Sequence, residues 1–364
     1  MKKMHKKSLL FLSTGMMLFS LVGCGKTPGG YSGPIHLLFG GYQTDSTKQT
    51  IDSISYKILN DRLTTSKESM VLVIYGDTGC GCWVNFQPLV ARANYEKQLA
   101  IKKINVGDFE GAGKTSFGMD LSVVMPSVAL FENGTLVKQI SYGSSADIFT
   151  HQEKFNKFLD DNVVYPKLGY EISEADLDNK ISQNETFNLY VGRCGCGDCA
   201  SINLGGLNAY ASTLSEEVNE PLYYFDMQLY RDRDTTDHLY QPTKTKYGLT
   251  VGNNPIFGYG TDEEGGVFPT LQRRTGNIVT DMIAVLNDKV NETEAPYTLN
   301  SYFTTERVNA MQFLGEDKAQ YILDGKEVPE EEVGVAGTYR YVKQSYQETL
   351  HNPILKMFLE TYVK

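Results

Sequence analysis

Two short segments constrain most of what this chain can fold into. Val71–Tyr75 (VLVIY) and Phe187–Val191 (FNLYV) are largely apolar runs that each stop at a glycine, Gly76 or Gly192, and then deliver cysteines. Apolar runs without polar alternation belong to strands that are covered on both faces. The segments that follow, Cys82–Leu99 and Cys199–Leu214, can be helical. The cysteines would therefore sit where a central strand feeds the N-terminus of a helix. Unpaired amides and the helix dipole favour a thiolate there, which lowers the thiol pKa and makes the sulfur a nucleophile.

The order of elements around these two points repeats. An amphipathic helix over 49–63, with Ile51, Ile54, Ile58 and Leu59 on one face, precedes the first strand. A helix over 83–99 containing Pro88, a strand over 101–106 and a short helix over 111–117 follow. Next comes a hairpin, 125–130 and 136–141, turning at Asn133-Gly134, and then a helix over 148–159. The second half starts with a helix over 174–181 capped by Ser173. It runs through its own cysteine turn to a strand over 222–229 and a hairpin, 267–271 and 278–284, turning at Thr275-Gly276-Asn277. Gly76-x-x-x-Cys80 matches Gly192-x-x-x-Cys196, and Pro126 matches Pro269. Residues 231–266 are polar and glycine-rich and read as an insertion with little core material. An acidic, tyrosine-rich tail closes on a helix over 353–363.

The chain opens with four lysines in MKKMHKKSLL, and an apolar run over 9–22 has the length of a secretory signal core. The run ends in Leu21-Val22-Gly23-Cys24, which resembles the lipobox of bacterial lipoproteins. That resemblance implies cleavage before Cys24, lipid on its sulfur and tethering to the outer face of the cell membrane. The alternative is an uncleaved anchor, for which the run is short. The formal net charge is −10 at pH 7 with dispersed acids, which argues against nucleic acid as a partner.

Beyond Cys24, the cysteines are Cys80, Cys82, Cys194, Cys196 and Cys199, all within the two turns. A structural disulfide framework would scatter them along the chain, so their clustering points to redox or metal chemistry.

With these motifs the chain resembles the thioredoxin-like superfamily, twice over. Cys196-Gly197-Asp198-Cys199 matches the Cys-x-x-Cys motif at a helix start. Counting back from Pro88 places Cys80 at the nucleophile position, with Cys82 inside the motif and Trp83 where the second cysteine usually stands. Met125-Pro126-Ser127 and Phe268-Pro269-Thr270 match the family's cis-proline signature. A weaker match is to bacteriocin transport accessory proteins. The resemblance implies an α/β fold of two tandem thioredoxin-like domains, each a central mixed sheet flanked by helices. The expected parts are a leader over 1–23, a tether over 24–45, a first domain over 46–166 and a second over 167–364. The second domain carries the insertion, about 231–266, and a C-terminal extension, about 290–364.

The same resemblance assigns roles. Cys196 attacks a substrate disulfide and Cys199 resolves the mixed disulfide. Arg193 favours the Cys196 thiolate, and Asp198 opposes it. Cys80 and Cys82 form a second centre; a Cys-Gly-Cys disulfide closes a very small ring and should be comparatively oxidising, while Asp77 would raise the Cys80 pKa. The backbone at Met125-Pro126 and Phe268-Pro269 would pair with a bound peptide. The family's buried acid is missing, because Ile74 and Tyr190 stand in its places.

Other readings stay open. Cys196–Cys199 could be a static disulfide, and the first unit a degenerate binder. Cys194, an accessory thiol, could trade partners with Cys196. Three thiolates could also grip zinc, but no histidine is adjacent in sequence and the thioredoxin pattern accounts for two of them, so no metal or soluble cofactor is expected. The expected partners are exported proteins or peptides, a redox partner, and the membrane through its lipid anchor. The activity expected is thiol–disulfide oxidoreductase or isomerase; the alternative is a non-catalytic accessory lipoprotein for peptide export.

Overall fold

In the computed structural model, residues 33–230, 240–249, 270–280 and 353–364 are described, apart from 46, 48, 197, 198 and 201, together with four short strands between 322 and 342. The leader over 1–23, residues 24–32 of the expected tether with Cys24, Phe268 and Pro269 lie outside the described residues. Among the described residues, no helix is long and apolar enough to cross a membrane.

The N-terminal arm supplies strands β1 (Ile35–His36), β2 (Gly40–Gly41) and β3 (Asp52–Ser53), then helix α1 (Tyr56–Asn60). Strand β4 (Met70–Tyr75), helix α2 (Gly81–Glu96), strand β5 (Lys102–Asn105), the hairpin β6 (Ser127–Glu132) and β7 (Thr135–Ser141), and helices α3 (Tyr142–Thr150) and α4 (Gln152–Asn162) complete the first half. Its five-stranded sheet has the order β3-β5-β4-β6-β7. β5 runs parallel to both β3 and β4, whereas β6 pairs antiparallel with β4 and β7. Val71 and Val73 enter the core under α2 and α4, and Leu72 and Ile74 enter the core under α1. The strand is thus buried on both faces, as its unbroken apolar run requires.

The second half begins with β8 (Val163–Val164), β9 (Gly169–Glu171), helix α5 (Glu174–Ser182) and β10 (Thr186–Gly192). Helix α6 (Asn208–Thr213), β11 (Leu222–Asp226), helix α7 (Tyr240–Lys246), β12 (Thr270–Thr275), β13 (Ile278–Thr280) and helix α8 (Pro353–Tyr362) follow. Its six-stranded sheet has the order β13-β12-β10-β11-β9-β2. The first five of these repeat the order and directions of the first sheet, read from the opposite edge. The sixth, β2, comes from the N-terminal arm and runs parallel to β9. Both halves are therefore α/β, with a mixed sheet flanked by helices, and both belong to one compact unit.

Several elements differ from the expectations above. The segment expected to be tether is structural from Ile35 onward: β1 pairs with β8 and β2 joins the second sheet. Gly40 and Gly41 pass so close to the 98–99 backbone that a Cβ would stand 2.4 Å and 2.3 Å from the Gln98 and Leu99 carbonyl oxygens, which is why the arm carries glycines there. The lead-in helix starts only at Tyr56, since Ser55 Oγ accepts the Ile58 N–H at 3.3 Å and Asp52–Ser53 is strand. It continues as a π-helical turn over Asp61–Thr65. Residues 111–117 form turns in place of a helix, with Gly111, Gly113 and Phe117 at positive φ. The expected 148–159 helix is two helices broken at His151, which is extended. After the second cysteine turn the chain is π-helical over Ile202–Leu207, and the strand over 222–229 ends at Asp226, giving way to a 3₁₀ turn. The insertion does carry core material: Tyr240, Tyr247 and Leu249 are buried in the second core. The chain ends on a docked helix, with Asn188 Nδ2 donating to the Tyr362 carbonyl at 2.6 Å and Tyr210 Oη to that of Val363 at 2.8 Å.

Candidate functional site

The first cysteine turn is built outward. Asp77 Oδ1 accepts the Gly79 N–H at 2.8 Å and the Asp77 carbonyl accepts the Cys80 N–H at 3.1 Å, so Asp77 shapes the turn. Cys80 is the N-cap of α2, its carbonyl taking the N–H groups of Trp83 and Val84 at 3.0 Å each. Cys80 and Cys82 are disulfide-bonded and half-buried, and Gly79, Gly81 and Val84 around them are exposed. Trp83 faces inward, 4% exposed, with its ring stacked 4.7 Å from that of Tyr75, so it serves packing. The Met125–Pro126 bond is cis, and a Cβ on Gly76 would lie 3.8 Å from Met125 Cβ, which puts this segment beside the turn.

The second turn is built inward. Cys194, Cys196 and Cys199 are buried at 1%, 8% and 0% exposure, and none is disulfide-bonded. The Cys199 N–H points at Cys196 Sγ (3.5 Å), and the Arg193 N–H at Cys199 Sγ (3.4 Å). The two side chains are hydrogen-bonded to each other, and burial pushes the Cys199 thiol well up, while the Arg193 amide and charge oppose that rise. Arg193 thus acts on Cys199, the more deeply buried of the pair.

Cys194 turns the other way. Its side chain packs with Ile58, Leu63, Leu72 and Ile74 of the first half, whereas Cys196 and Cys199 pack with Leu189, Val191 and Phe225 of the second. Its carbonyl accepts Ser66 Oγ at 2.5 Å and its N–H donates to Asp226 Oδ1 at 3.4 Å. Burial and the Asp226 charge push its thiol well up. The three thiols are split between two cores, and among the described residues no three His, Cys, Asp or Glu side chains gather as a metal site would require.

Residues not singled out from the sequence hold this turn in place. Arg62, from the π-helical turn, is 3% exposed and reaches Glu68 (2.7 Å), Glu171 on β9 (2.9 Å) and Asp226 at the end of β11 (3.1 Å). Lys102 reaches Glu171 at 2.6 Å and Asp52 at 3.0 Å. Burial raises Glu171, but Arg62 and Lys102 overcome it and hold that carboxyl at about 2. Glu68 has only Arg62 against its burial and is raised to about 7. A cleft of about 570 Å³ opens over this junction between the sheets. The one available signal was the position of Arg62, four residues after Ile58 and three after Leu59, which sets it on their apolar helix face.

No protein-family model matches the chain, and no characterised protein matches it in sequence. Among solved structures it is similar to a Malassezia sympodialis thioredoxin (18% identity, 29% of this chain and 93% of that one, TM-score 0.21). It is also similar to a mutant thioredoxin from Halobacterium salinarum NRC-1 (17% identity, 38% and 100%, TM-score 0.22). A third similarity is to the zinc-bound form of human ERp44 (13% identity, 51% of each chain, TM-score 0.21).

Proposed function

We propose that this chain is a thiol–disulfide oxidoreductase or isomerase, built from two tandem thioredoxin-like domains over 46–166 and 167–364 and tethered through Cys24 outside the cell membrane, where it acts on exported proteins or peptides. One observation carries the reading. Two sheets of the same order each place a cysteine pair just past the C-terminal end of the central strand, one as a half-exposed disulfide and one as a thiol pair in contact. The first pair accepts electrons: a substrate thiolate attacks the Cys80–Cys82 bond to form a mixed disulfide and free one cysteine thiolate, a second substrate thiolate then attacks the substrate sulfur and displaces the other cysteine, and the substrate leaves oxidised with both cysteines reduced. The second pair donates them, with Cys196 attacking a substrate disulfide and Cys199 closing on Cys196.

Trapping tests this. The full chain with Cys199→Ala, exposed to an extracytoplasmic extract, should carry a partner disulfide-linked to Cys196; Cys80→Ser with Cys82→Ser should abolish oxidation of a reduced dithiol peptide. A chain that forms no adduct and oxidises nothing would exclude the enzyme.

A second reading, an accessory module for peptide export, is favoured by the apolar surface near the first turn, where Val84 is 54% and Val124 58% exposed. It requires that both cysteine pairs can be replaced without loss of the exported peptide.

A further inference from the structure

β10 carries a phenol into the second turn. Tyr190 is 0% exposed and its ring stacks on that of Tyr224 with centroids 5.0 Å apart. Its hydroxyl lies against the strand end, where a Cβ on Gly192 would stand 3.0 Å from it. Arg193, the next residue, points its N–H at Cys199 Sγ. The Tyr190 hydroxyl is buried without a hydrogen-bond partner, and after burial the Cys199 thiol is the group that acts on it most strongly. Burial pushes this phenol well up, and the charges Cys199 and Cys196 would carry push it further, so it keeps its proton throughout the working pH range.

From this unpartnered hydroxyl at the strand end, beside the Arg193 amide that points at Cys199, we infer that Tyr190 positions Cys199 for resolution, its phenol donating a hydrogen bond to the Cys199 sulfur as that sulfur gains charge. The inference rests on the dithiol reading above. In the resolving step a bond forms between the Cys199 and Cys196 sulfurs and the bond from Cys196 to the substrate sulfur breaks. The two protein sulfurs are left oxidised and the substrate leaves as a thiolate. The proton lost from Cys199 goes by way of solvent to that leaving thiolate, and Tyr190 keeps its own. A thiol this deeply buried needs donors to its anion: the Arg193 amide already points at it, and the unpartnered Tyr190 hydroxyl supplies the second. The charged and titratable groups facing the pair are Cys196 and Arg193 from the turn, and Asp226 and Tyr224 from β11.

The test uses the full chain with Cys24, Cys80 and Cys82 changed to Ser and the aromatic disulfide 5,5′-dithiobis(2-nitrobenzoate) as probe. Attack by Cys196 releases one coloured thiolate and resolution by Cys199 releases a second, so one trace gives both rates. With Tyr190→Phe the first release should keep its rate, while the second slows about tenfold and its pH midpoint rises by about one unit. Tyr224→Phe, which removes the neighbouring phenol, should move neither. An unchanged midpoint in Tyr190→Phe, or an equal shift from Tyr224→Phe, overturns the inference. If Tyr190→Phe fails to fold, 3,5-difluorotyrosine at position 190 keeps ring and hydroxyl and strengthens the donor; the midpoint should then fall, and a fixed midpoint overturns the inference. Absence of the first release in the parent chain would instead overturn the dithiol reading, and the inference with it.

Discussion

The two cysteine turns start from the same local sequence logic and end in opposite environments. In the first, the chain leaves β4 and enters a helix of sixteen residues at once, with Cys80 as its cap, so the sulfurs sit half-exposed at the surface. In the second, Cys194 plugs the core of the other half and Asp226 takes its N–H; the chain then passes into a π-helical stretch before α6 begins. This buries Cys196 and Cys199. A strand ending in cysteines sets where sulfur goes, and what packs over the turn sets whether that sulfur faces solvent.

If the second turn is held by the junction, removing Arg62 should undo it. Arg62→Met leaves Glu68, Glu171 and Asp226 without their shared cation and should cost about 3–5 kcal/mol in a denaturant titration. It should also make Cys196 and Cys199 react faster with iodoacetamide, with no change at Cys80 or Cys82 once reduced. Equal reactivity at the second turn before and after the change would break the comparison.

The next effect is pH dependence. A free glutamate titrates near 4.5 and Glu68 in the fold near about 7, so between these values the folded state holds the extra proton. Stability from this group is full below about 4.5 and falls as pH rises to about 7, by about 3 kcal/mol. Glu171 works in the opposite direction: its stabilisation is present above about 4.5 and is lost as pH falls toward about 2. Glu68→Gln should flatten the loss between pH 5 and 8 in thermal melts while leaving the acid limb in place.

Cys194→Ala should cost about 1–2 kcal/mol of packing and leave the release of both thiolates from the aromatic probe unchanged. A change in the second release would make Cys194 a working partner of Cys196 after all. Smallest is Ser66→Ala, which removes a single hydrogen bond to the Cys194 carbonyl and should cost about 1 kcal/mol.

What was legible in the sequence follows from how local the cause is. β4 and β10 are apolar runs, the Asn133-Gly134 turn has both residues at positive φ, and Ser173 accepts the Asp176 N–H at 3.1 Å; each is set by neighbours in sequence. The junction was not legible, because Arg62 meets Asp226 across 164 residues of chain. The arm strand at Gly40–Gly41 has no apolar pattern, since its role is to let two backbones approach. The buried Tyr240 and Tyr247 sit in a polar stretch whose aromatic residues find the second core through tertiary contacts alone. At the site, sequence placed the sulfurs in two turns but not their sides: Cys194 and Cys196, separated by one glycine, face different cores.

The most direct measurement is timed alkylation of the reduced full chain under native conditions, read residue by residue by mass spectrometry. The account predicts that Cys80 and Cys82 are modified first, Cys196 more slowly, and Cys194 and Cys199 only once the chain unfolds. Modification of Cys199 in step with Cys80 would contradict it.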